Sequence, residues 1–349
     1  MAHNILVTGG AGYIGSHTAK ALAQGGFSPV VLDNLAAGNR WAVKWGPFVE
    51  GDTGDRELLH RTIRQYKIDG VVHLAASAYV GESMLNPGKY FDNNVTKSLA
   101  LLDVLVDCGV EQLVFSSTCA VYGVPGSGLL EEDHPQAPIN PYGEAKLFIE
   151  RACGWYGQAY PLRSVSLRYF NAAGADPDGE LGESHSPETH LIPLAIAAAL
   201  DETTHLSVYG TDYATHDGTA VRDYVHVSDL AAAHVRALEY LIAGGESTQL
   251  NLGAGNGSSV REVIGCVEAV SGKRVNTIDA PSRPGDAAVL VACAERAKKA
   301  LGWHPNFTLE DMVTSAWNWH QLREARPVRS SLRARGDYIL DSSDVAAIL

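Results

Sequence analysis

The chain is short of basic residues, paired cysteines and long apolar runs. It has 27 Lys and Arg against 40 Asp and Glu, a net charge of −13 over 349 residues. Such an acidic chain is a poor candidate for binding nucleic acid or an anionic membrane surface. The five cysteines are scattered and form no CxxC pair. This argues against a metal centre and a disulfide framework, and it predicts a reducing, cytoplasmic compartment.

No apolar stretch is long enough to cross a membrane. The longest notable run, 191–200, contains Pro193 and has only half of the ~20 residues that a spanning helix needs. The three apolar residues at 5–7 run directly into glycines, so they are too few for the core of a signal peptide. We therefore expect a soluble protein with no membrane partner.

Apolar runs alternate with amphipathic stretches through the first half of the chain. Strands are predicted at 4–8, 30–33, 48–52, 71–74, 113–115 and 164–167, and helices at 16–24, 56–66, 93–108 and 142–160. Continuous apolar strands between helices are typical of a parallel sheet covered on both faces. We predict an α/β fold with a doubly wound (Rossmann) parallel sheet and a second, smaller α/β substrate-binding domain.

The alternation ends near residue 171, where a Gly-, Pro- and acid-rich stretch predicts a loop over 172–190. We expect segments near 221–255 to return to the first domain. The predicted divisions are a nucleotide-binding domain over 1–174, a region over 175–326 that is mainly the second domain, and a C-terminal tail over 327–349.

Glycines cluster between the first predicted strand and the first predicted helix. Residues 8–15 read TGGAGYIG, which fits both GxGxxG and GxxGxxG, the latter through Gly9, Gly12 and Gly15. Glycines permit a tight turn and close approach of a pyrophosphate, and the helix start offers unpaired N–H groups to it. The spacing alone is a weak signal. Its position between a strand and a helix predicts dinucleotide binding rather than a turn that serves only packing.

Two acidic residues end or follow the next strands. Asp33 ends the second strand, where a carboxylate hydrogen-bonds the adenosine ribose. A carboxylate there would repel a 2′-phosphate, so NAD is favoured over NADP; a helix cap is the alternative role for Asp33. Asp52, after the third strand, either reaches the adenine amino group or serves the turn.

Tyr142 and Lys146 form YxxxK on a predicted helix, and positions i and i+4 share one helix face. A tyrosine that acts as a base at neutral pH needs its pKa lowered by about 3 units. Lys146 at ~4 Å, together with a positive nicotinamide ring, can supply that shift. Thr118 ends a strand at the sheet edge where ligands bind. The alternatives are a solvated Tyr–Lys pair and a loop-capping hydroxyl.

These elements resemble the extended short-chain dehydrogenase/reductase family, and within it the nucleotide-sugar epimerases. The resemblance is distributed over residues 4–320, nearly the whole chain. The matching stretches are VTGGAGYIGSH (7–17), VGES (80–83), DNNV (92–95), VFSST (114–118), VYG (121–123), PYGEAK (141–146), LRYFN (167–171), DGTAVRDYVHVSDLA (217–231) and NLGAG (251–255).

The resemblance implies an isomerase that interconverts UDP-glucose and UDP-galactose by transient oxidation at carbon 4, with NAD as a bound cofactor. Tyr142 is then the base, Lys146 its partner and Thr118 the hydroxyl relay. A homodimer paired through the helices at 93–108 and 142–160 is also implied. The implied NAD contacts are Gly9, Gly12, Tyr13, Ile14, Gly15, Asp33, Asn34, Asp52, Leu74, Ala75, Ala76, Asn93, Tyr142, Lys146 and Tyr169. The implied UDP-sugar contacts are Thr118, Tyr142, Asn171, His190, Leu191, Arg222, Arg283, Asp286 and Leu290.

Three positions bear on how the family's pattern applies here. Ala78 stands where some members carry a lysine that touches the cofactor phosphates, and His190 stands where many carry Asn. Leu290, counted from Asp286, falls at the position that gates the sugar pocket. Because Leu is smaller than Tyr, we predict weaker but detectable turnover of UDP-N-acetylglucosamine. The alternative is that Leu290 is a core residue of a strand over 288–292.

Several other activities share these motifs. A 4-epimerase of UDP-xylose or UDP-arabinose, of UDP-N-acetylglucosamine or of UDP-glucuronate stays open. Sugar dehydratases and uronate decarboxylases need acidic groups just after Thr118, and Cys119 and Ala120 cannot supply them. A non-catalytic NAD-sensing module is disfavoured by the intact set of Thr118, Tyr142 and Lys146.

Overall fold

The computed structural model describes residues 2–126, 128–283 and 285–325. The strands within these ranges are β1 Asn4–Thr8, β2 Ser28–Asp33, β3 Phe48–Glu50, β4 Gly70–His73, β5 Gln112–Thr118, β6 Arg163–Tyr169, β7 Asn171–Ala173, β8 Leu206–Tyr209, β9 Val221–His226, β10 Thr248–Leu252, β11 Gly257–Ser259, β12 Thr277–Ala280 and β13 Val289–Leu290.

The helices within the same ranges are α1 Tyr13–Gln24, α2 Arg56–Tyr66, α3 Val80–Leu85, α4 Pro87–Tyr90, α5 Lys97–Cys108, α6 Pro141–Ala159, α7 Leu191–Leu200, α8 Val227–Ile242, α9 Val260–Ser271, α10 Glu295–Leu301 and α11 Leu309–Ala325. Short 3-10 turns form at Arg40–Ala42 and Cys119–Tyr122, and a π-helical turn at Phe91–Thr96 leads into α5. None of the helices in the described part of the chain could span a membrane.

A seven-stranded parallel sheet forms the larger layer, in the order β10-β6-β5-β4-β1-β2-β3. Its alternate residues face opposite sides. Ile5 and Val7 of β1 pack on one face in a cluster that includes Leu22 of α1 and Leu238 of α8. Leu6 packs on the other face with residues of α2, α5 and α6. The predicted doubly wound α/β fold is therefore confirmed.

The smaller layer gathers pieces that are distant in the sequence. β9 pairs with β11 and β13 along its first half and with β7 along its second half, and β8 pairs with β12. Helices α7, α9 and α11 share a separate apolar cluster around Ile196, Val263 and Val313. The chain returns to the large sheet through β10, which pairs with β6. The division at residue 174 itself stays a prediction.

Several predicted element bounds differ from the structure. The first helix begins at Tyr13 rather than at residue 16, because Gly12 serves as its N-cap. The predicted loop over 172–190 begins inside β7, whose three residues pair with β9. β3 ends at Glu50 rather than 52, where the Asp52 side chain accepts from the Gly54 amide and forms a turn. The predicted tail over 327–349 lies outside the described residues.

Candidate active site

In the glycine turn between β1 and α1, Gly9, Gly12 and Gly15 each serve a different structural purpose. Gly9 has φ +71°, and a Cβ there would lie 2.6 Å from the Ala75 amide nitrogen. A Cβ on Gly15 would lie 2.1 Å from the Gly9 carbonyl oxygen, so this glycine lets α1 pack on the turn. Gly12 caps α1 with no capping side chain and no acid in the first turn. The free amides at this helix start fit a dinucleotide pyrophosphate.

Tyr13 and Ile14 follow at the start of α1. The Tyr13 hydroxyl donates to the Gly174 carbonyl at 2.6 Å, so its side chain ties α1 to the end of β7. Ile14 packs against the apolar cluster beneath the large sheet. Since the Tyr13 hydroxyl and the Ile14 side chain make these contacts, the backbone amides of both residues are the groups available at the turn.

Asp33 is buried at the end of β2, directly beside the glycine turn. One carboxylate oxygen accepts from the Ala11 amide at 3.0 Å, and the other from the Leu35 amide at 2.8 Å. Burial raises the pKa of Asp33, and these amide hydrogen bonds oppose the rise. Each carboxylate oxygen keeps a lone pair for a ribose hydroxyl. Asp33 therefore fixes the turn, and it is not the cap of a following helix.

Asp52 lies in a small polar group with Asn34 and Lys97. It accepts from Asn34 Nδ2 at 2.9 Å and from Lys97 Nζ at 2.7 Å. Partial burial opposes ionisation, but these hydrogen bonds and one from the Gly54 amide lower the pKa of Asp52 below its ordinary value. The sequence predicted Asp52 but not Lys97, which reaches it from α5.

The loop after β4 contacts the glycine turn. Residues 74–76 form its first part, and the Leu74 and Ala75 backbones are the atoms that a Cβ on Gly9 would strike. Asn93, in the π-helical turn, donates to Ser77 Oγ at 3.2 Å. Ala78 is exposed in the same loop and offers no charge. The predicted NAD contacts of β1, β2, β4 and the π-helical turn thus lie along one edge of the sheet.

Thr118, Tyr142 and Lys146 converge at the carboxyl end of β5. Thr118 is the last residue of β5 and hydrogen-bonds Tyr142, which lies in the first turn of α6. Lys146 is 3% exposed, and its Nζ donates to the Ser116 carbonyl at 2.8 Å. Tyr169, at the end of β6, hydrogen-bonds the Ser116 hydroxyl. The structure therefore brings together the three predicted catalytic residues.

Burial governs the protonation of these groups. It raises the pKa of Tyr142 well above its usual range; Tyr169 adds to this, and the hydrogen bond with Thr118 opposes it. It lowers the pKa of Lys146 to about 7, against the effect of Glu150. Lys146 Nζ lies 5.9 Å from the Tyr142 ring centre. The chain's own groups therefore favour the neutral phenol.

A buried ionic network behind Lys146 was not predicted from the sequence. Glu150, one helical turn after Lys146, accepts from Arg168 Nε at 2.9 Å and from its terminal nitrogen at 2.6 Å. Ser117 of β5 also donates to Glu150, and the Tyr122 hydroxyl accepts from Arg168 at 3.0 Å. The YxxxK helix is thereby tied to β5 and β6. The sequence did contain one indication of this network, because the i, i+4 spacing of Lys146 and Glu150 places the two side chains on the same face of the helix.

Arg222 and Asp286, both predicted to hold UDP, bind each other across the smaller layer. An Arg222 terminal nitrogen donates to Asp286, and another donates to the Val221 carbonyl at 2.8 Å. Neither side chain is more than 27% exposed. The pair is therefore a preformed and partly desolvated charge arrangement rather than two independent surface charges.

Arg283 and Asn171 are two further polar residues that were predicted to contact UDP. The Arg283 guanidinium lies 4.0 Å from the centre of the Tyr209 ring. Its Nε is buried, and no described residue provides it with a hydrogen-bond partner. Asn171 begins β7 and pairs in register with Tyr224 of β9. Because the buried Nε–H of Arg283 has no hydrogen-bond partner among the described residues, it is free to donate to an anionic ligand.

His190, Leu191 and Leu290 are the remaining predicted substrate contacts. His190 is the N-cap of α7 and contacts carboxylates through Nδ1, whereas Leu191 packs on the apolar cluster of the smaller layer. Leu290 lies in β13 opposite Arg222, and it packs against the same apolar cluster as Cys119. It is half-buried, so the packing and gating interpretations both remain compatible with its position.

Comparisons with known proteins agree with this arrangement. A model of the NAD dependent epimerase/dehydratase family matches residues 5–253. The UDP-glucose 4-epimerase of Rhizobium meliloti (strain 1021) is 52% identical over 321 residues, which cover 92% of this chain and 98% of that protein.

Two solved structures extend the comparison to the fold. UDP-glucose 4-epimerase from Brucella ovis in complex with NAD is 49% identical, has a TM-score of 0.89, and aligns over 91% of this chain and 98% of its own. UDP-glucose-4-epimerase from Stenotrophomonas maltophila, with bound NAD and formylated UDP-arabinopyranose, is 39% identical with a TM-score of 0.90, over 93% and 99% of the two chains. Since the family model matches more than half of the chain, the chain belongs to the NAD dependent epimerase/dehydratase family.

Proposed function

We propose that the chain interconverts UDP-glucose and UDP-galactose by inverting the configuration at carbon 4 of the sugar. The observation that carries this proposal is the convergence of Thr118, Tyr142 and Lys146 at the carboxyl end of β5, on the same edge of the parallel sheet as the glycine turn that follows β1. The names of the relatives support it. NAD is the proposed cofactor, and when bound it supplies a hydride acceptor that is regenerated in each cycle.

The cofactor is held by the residues along the edge of the large sheet. The amides at the start of α1 bind the pyrophosphate, and Gly12 leaves room for it. Asp33 binds the adenosine ribose through its free lone pairs. The proposed set is Gly9, Gly12, Tyr13, Ile14, Gly15, Asp33, Asn34, Asp52, Leu74, Ala75, Ala76, Asn93, Tyr142, Lys146 and Tyr169.

Tyr142 exchanges the proton of the sugar 4-hydroxyl, and Thr118 hydrogen-bonds the same oxygen. The chain alone keeps Tyr142 neutral, so proton removal needs added positive charge near the phenol. Buried Lys146, whose pKa is lowered to about 7, supplies part of that charge when it is protonated. Glu150 favours the protonated form, because it is the group that opposes the fall of the Lys146 pKa.

The UDP moiety is held by the smaller layer, so that the sugar is free to turn over. Arg222 and Arg283 bind the pyrophosphate, since guanidinium groups match phosphate oxygens in charge and geometry. Asp286 accepts ribose hydroxyls while it fixes Arg222. Asn171, His190 and Leu191 complete the proposed contacts with UDP.

Leu290 is proposed to set the width of the sugar pocket. It packs against the same apolar cluster as Cys119, which follows Thr118 directly in the sequence. A leucine side chain can change rotamer, so an N-acetyl group is admitted with lower efficiency. Epimerisation of another UDP-sugar is the alternative, and the Stenotrophomonas relative with formylated UDP-arabinopyranose favours testing pentoses.

A panel of UDP-sugars incubated with the purified protein tests this proposal. Chromatography should show conversion of UDP-glucose to UDP-galactose and weaker conversion of UDP-N-acetylglucosamine, without net consumption of NAD. If the protein converts only UDP-xylose or only UDP-glucuronate, that UDP-sugar replaces UDP-glucose as the proposed substrate. No conversion of any UDP-sugar would refute the epimerase assignment.

We further propose that the chain is cytoplasmic and that it forms a homodimer through α5 and α6. A boundary between the two domains at residue 174 is also proposed. Three apolar residues of α5 and α6, Leu102, Leu105 and Leu147, are core residues and cannot contribute to a dimer surface. The homodimer is supported instead by two large apolar side chains on α6 that are exposed in the single chain, Phe148 (50%) and Trp155 (68%). Light scattering at micromolar concentration should give twice the chain mass, and a monomeric mass would contradict the proposal.

A further inference from the structure

The segment between β7 and α7 carries two groups of side chains with metal-ligating atoms. The first contains Asp176, Asp178 and Glu180. Lys20 Nζ already occupies its centre, 2.8 Å from Asp176, 2.7 Å from Asp178 and 2.9 Å from Glu180. This ammonium closes the first group, and it serves below as a comparison for the second.

We propose that the second group, Glu183, His185, Glu188 and His190, binds one divalent transition-metal ion, and that zinc fits it best. These residues read ESHSPETH in the sequence. One nitrogen or oxygen atom from each lies within 4.8 Å of the others. Within the described part of the chain, the ion pairs of these four residues join the two carboxylates to the two imidazoles, and none involves a lysine or an arginine.

The distances between the donor atoms match those of a coordination sphere. Four nitrogen and oxygen ligands at about 2.0–2.1 Å from a tetrahedral zinc lie about 3.3 Å from each other. Glu183 Oε1 lies 2.7 Å from His190 Nδ1 and 3.2 Å from His185 Nδ1. The Glu188 oxygens lie 3.0 Å from His190 Nδ1 and 3.7 Å from His185 Nδ1. The four separations spread around the tetrahedral value.

The directions of these contacts give a second, independent observation. Glu183 is 5% exposed, yet its Oε1 has no well-directed hydrogen bond, and neither has the buried Nδ1 of His185. The two atoms approach each other at 3.2 Å without the alignment of a hydrogen bond. Atoms that converge in this way have lone pairs available for a common central cation.

The donor set selects the kind of ion. Imidazole nitrogens suit zinc and other first-row transition metals, whereas calcium and magnesium prefer oxygen ligands. Two imidazoles and two carboxylates fill a four-coordinate shell and leave no position open for water, which favours a structural rather than a catalytic role for the ion. Coordination through Nδ1 leaves Nε2–H of His190 available to donate, so the proposal is compatible with its predicted contact with UDP.

The position of the group indicates what the ion does. His185 and Ser184 line one cavity together with Gly12 and Tyr13 of the glycine turn. His190 caps α7. An ion at this point therefore clamps the 183–190 segment between the phosphate-binding turn and α7. The expectation of no metal rested on the cysteines, none of which belongs to this set.

Zinc binding to the chelator-stripped, full-length protein tests the proposal, with zinc alone as the probe. Mass spectrometry of metal content after dialysis should give one zinc per chain, and competition with a chromogenic chelator gives the affinity. Loss of an outer partner of a metal ligand costs about 10–100-fold in affinity. His185→Gln and Glu188→Gln, which each remove a direct ligand, should therefore weaken zinc binding about 100-fold or more. Asp178→Asn, in the group that Lys20 closes, is the matched control and should bind as wild type does.

Cobalt(II) substitution provides a readout that needs no variant. Tetrahedral nitrogen and oxygen ligation should give strong visible d–d bands without the near-ultraviolet band of a thiolate–cobalt bond. A thiolate band would place the ion on a cysteine and overturn the proposal. So would an absence of stoichiometric zinc in the wild type, or wild-type affinity in both ligand variants. The proposal is independent of the assigned activity, because neither measurement uses turnover.

Discussion

The cofactor side and the substrate side of the site are built in different ways. On the cofactor side, consecutive strand–helix units deliver Asp33, Thr118 and Tyr142 to one edge of a single parallel sheet. On the substrate side, Arg222 and Asp286 meet although they are 64 residues apart in the chain. The first region buries its polar groups among backbone amides and the Glu150–Arg168 ion pair, whereas the Arg222–Asp286 ion pair of the second region is only partly desolvated.

We infer that the two layers meet different needs. The proton exchange proposed for Tyr142 at one position benefits from the buried surroundings of Tyr142 and Lys146. The proposed hold on a nucleotide whose sugar turns over benefits from charged groups that a ligand can reach. Four substitutions test this division, and they are ordered by expected effect.

Tyr142→Phe should abolish chemistry while it preserves binding. Only the proton-transfer group is lost, so turnover should fall by about 10²–10⁴-fold, and NAD content and UDP affinity should stay unchanged. Turnover is measured by chromatography and UDP affinity by calorimetry. Tyr160→Phe, at the exposed end of the same helix, is the control. Near-normal turnover of Tyr142→Phe would remove Tyr142 from the role of base.

Glu150→Gln should destabilise the cofactor side. It leaves the Arg168 guanidinium buried without its carboxylate, and breaking such a pair costs about 3–5 kcal/mol in the free energy of unfolding. Urea denaturation measures the change. Glu144→Gln, on the exposed face of α6, should cost less than about 1 kcal/mol. Equal stability of the two variants would show that the network does not hold the YxxxK helix.

Arg283→Met should affect the substrate side alone. A charge-assisted hydrogen bond contributes about 1.5–3 kcal/mol, so KM for UDP-glucose should rise roughly 10–100-fold while kcat and NAD content change little. Arg261→Met, whose side chain is 51% exposed on α9, is the control. If KM is unchanged, the buried Nε of Arg283 does not face the nucleotide.

Leu290→Tyr should give the smallest and most selective effect. A rigid ring at this position narrows the sugar pocket, so turnover of UDP-N-acetylglucosamine should be lost while that of UDP-glucose is spared. Val289→Tyr places the same ring on the opposite face of β13 and should leave both activities intact. Leu290 is not the gate if the wild type lacks the N-acetyl activity or if Leu290→Tyr retains it.

The cofactor side was largely predictable because its signals are local. The alternation of strands and helices, the glycines at 9, 12 and 15, and the i, i+4 pair of Tyr142 and Lys146 each occupy short stretches of sequence. The substrate side was not, because Arg222 and Arg283 by themselves have the pattern of surface charges. Only the resemblance to a family singled them out, and only the fold shows that Arg222 binds Asp286.

The sequence by itself determined the parallel sheet and the glycine turn, and it predicted which side chains react. These follow from hydrophobic periodicity and from backbone conformations that glycine permits, and both are properties of neighbouring residues. The tertiary structure decided which charges are paired and which groups are desolvated. It buried Tyr142, which raises the pKa of its phenol, and it tied Glu150 to Arg168. Burial and long-range pairing depend on how distant segments pack, and no local pattern encodes them.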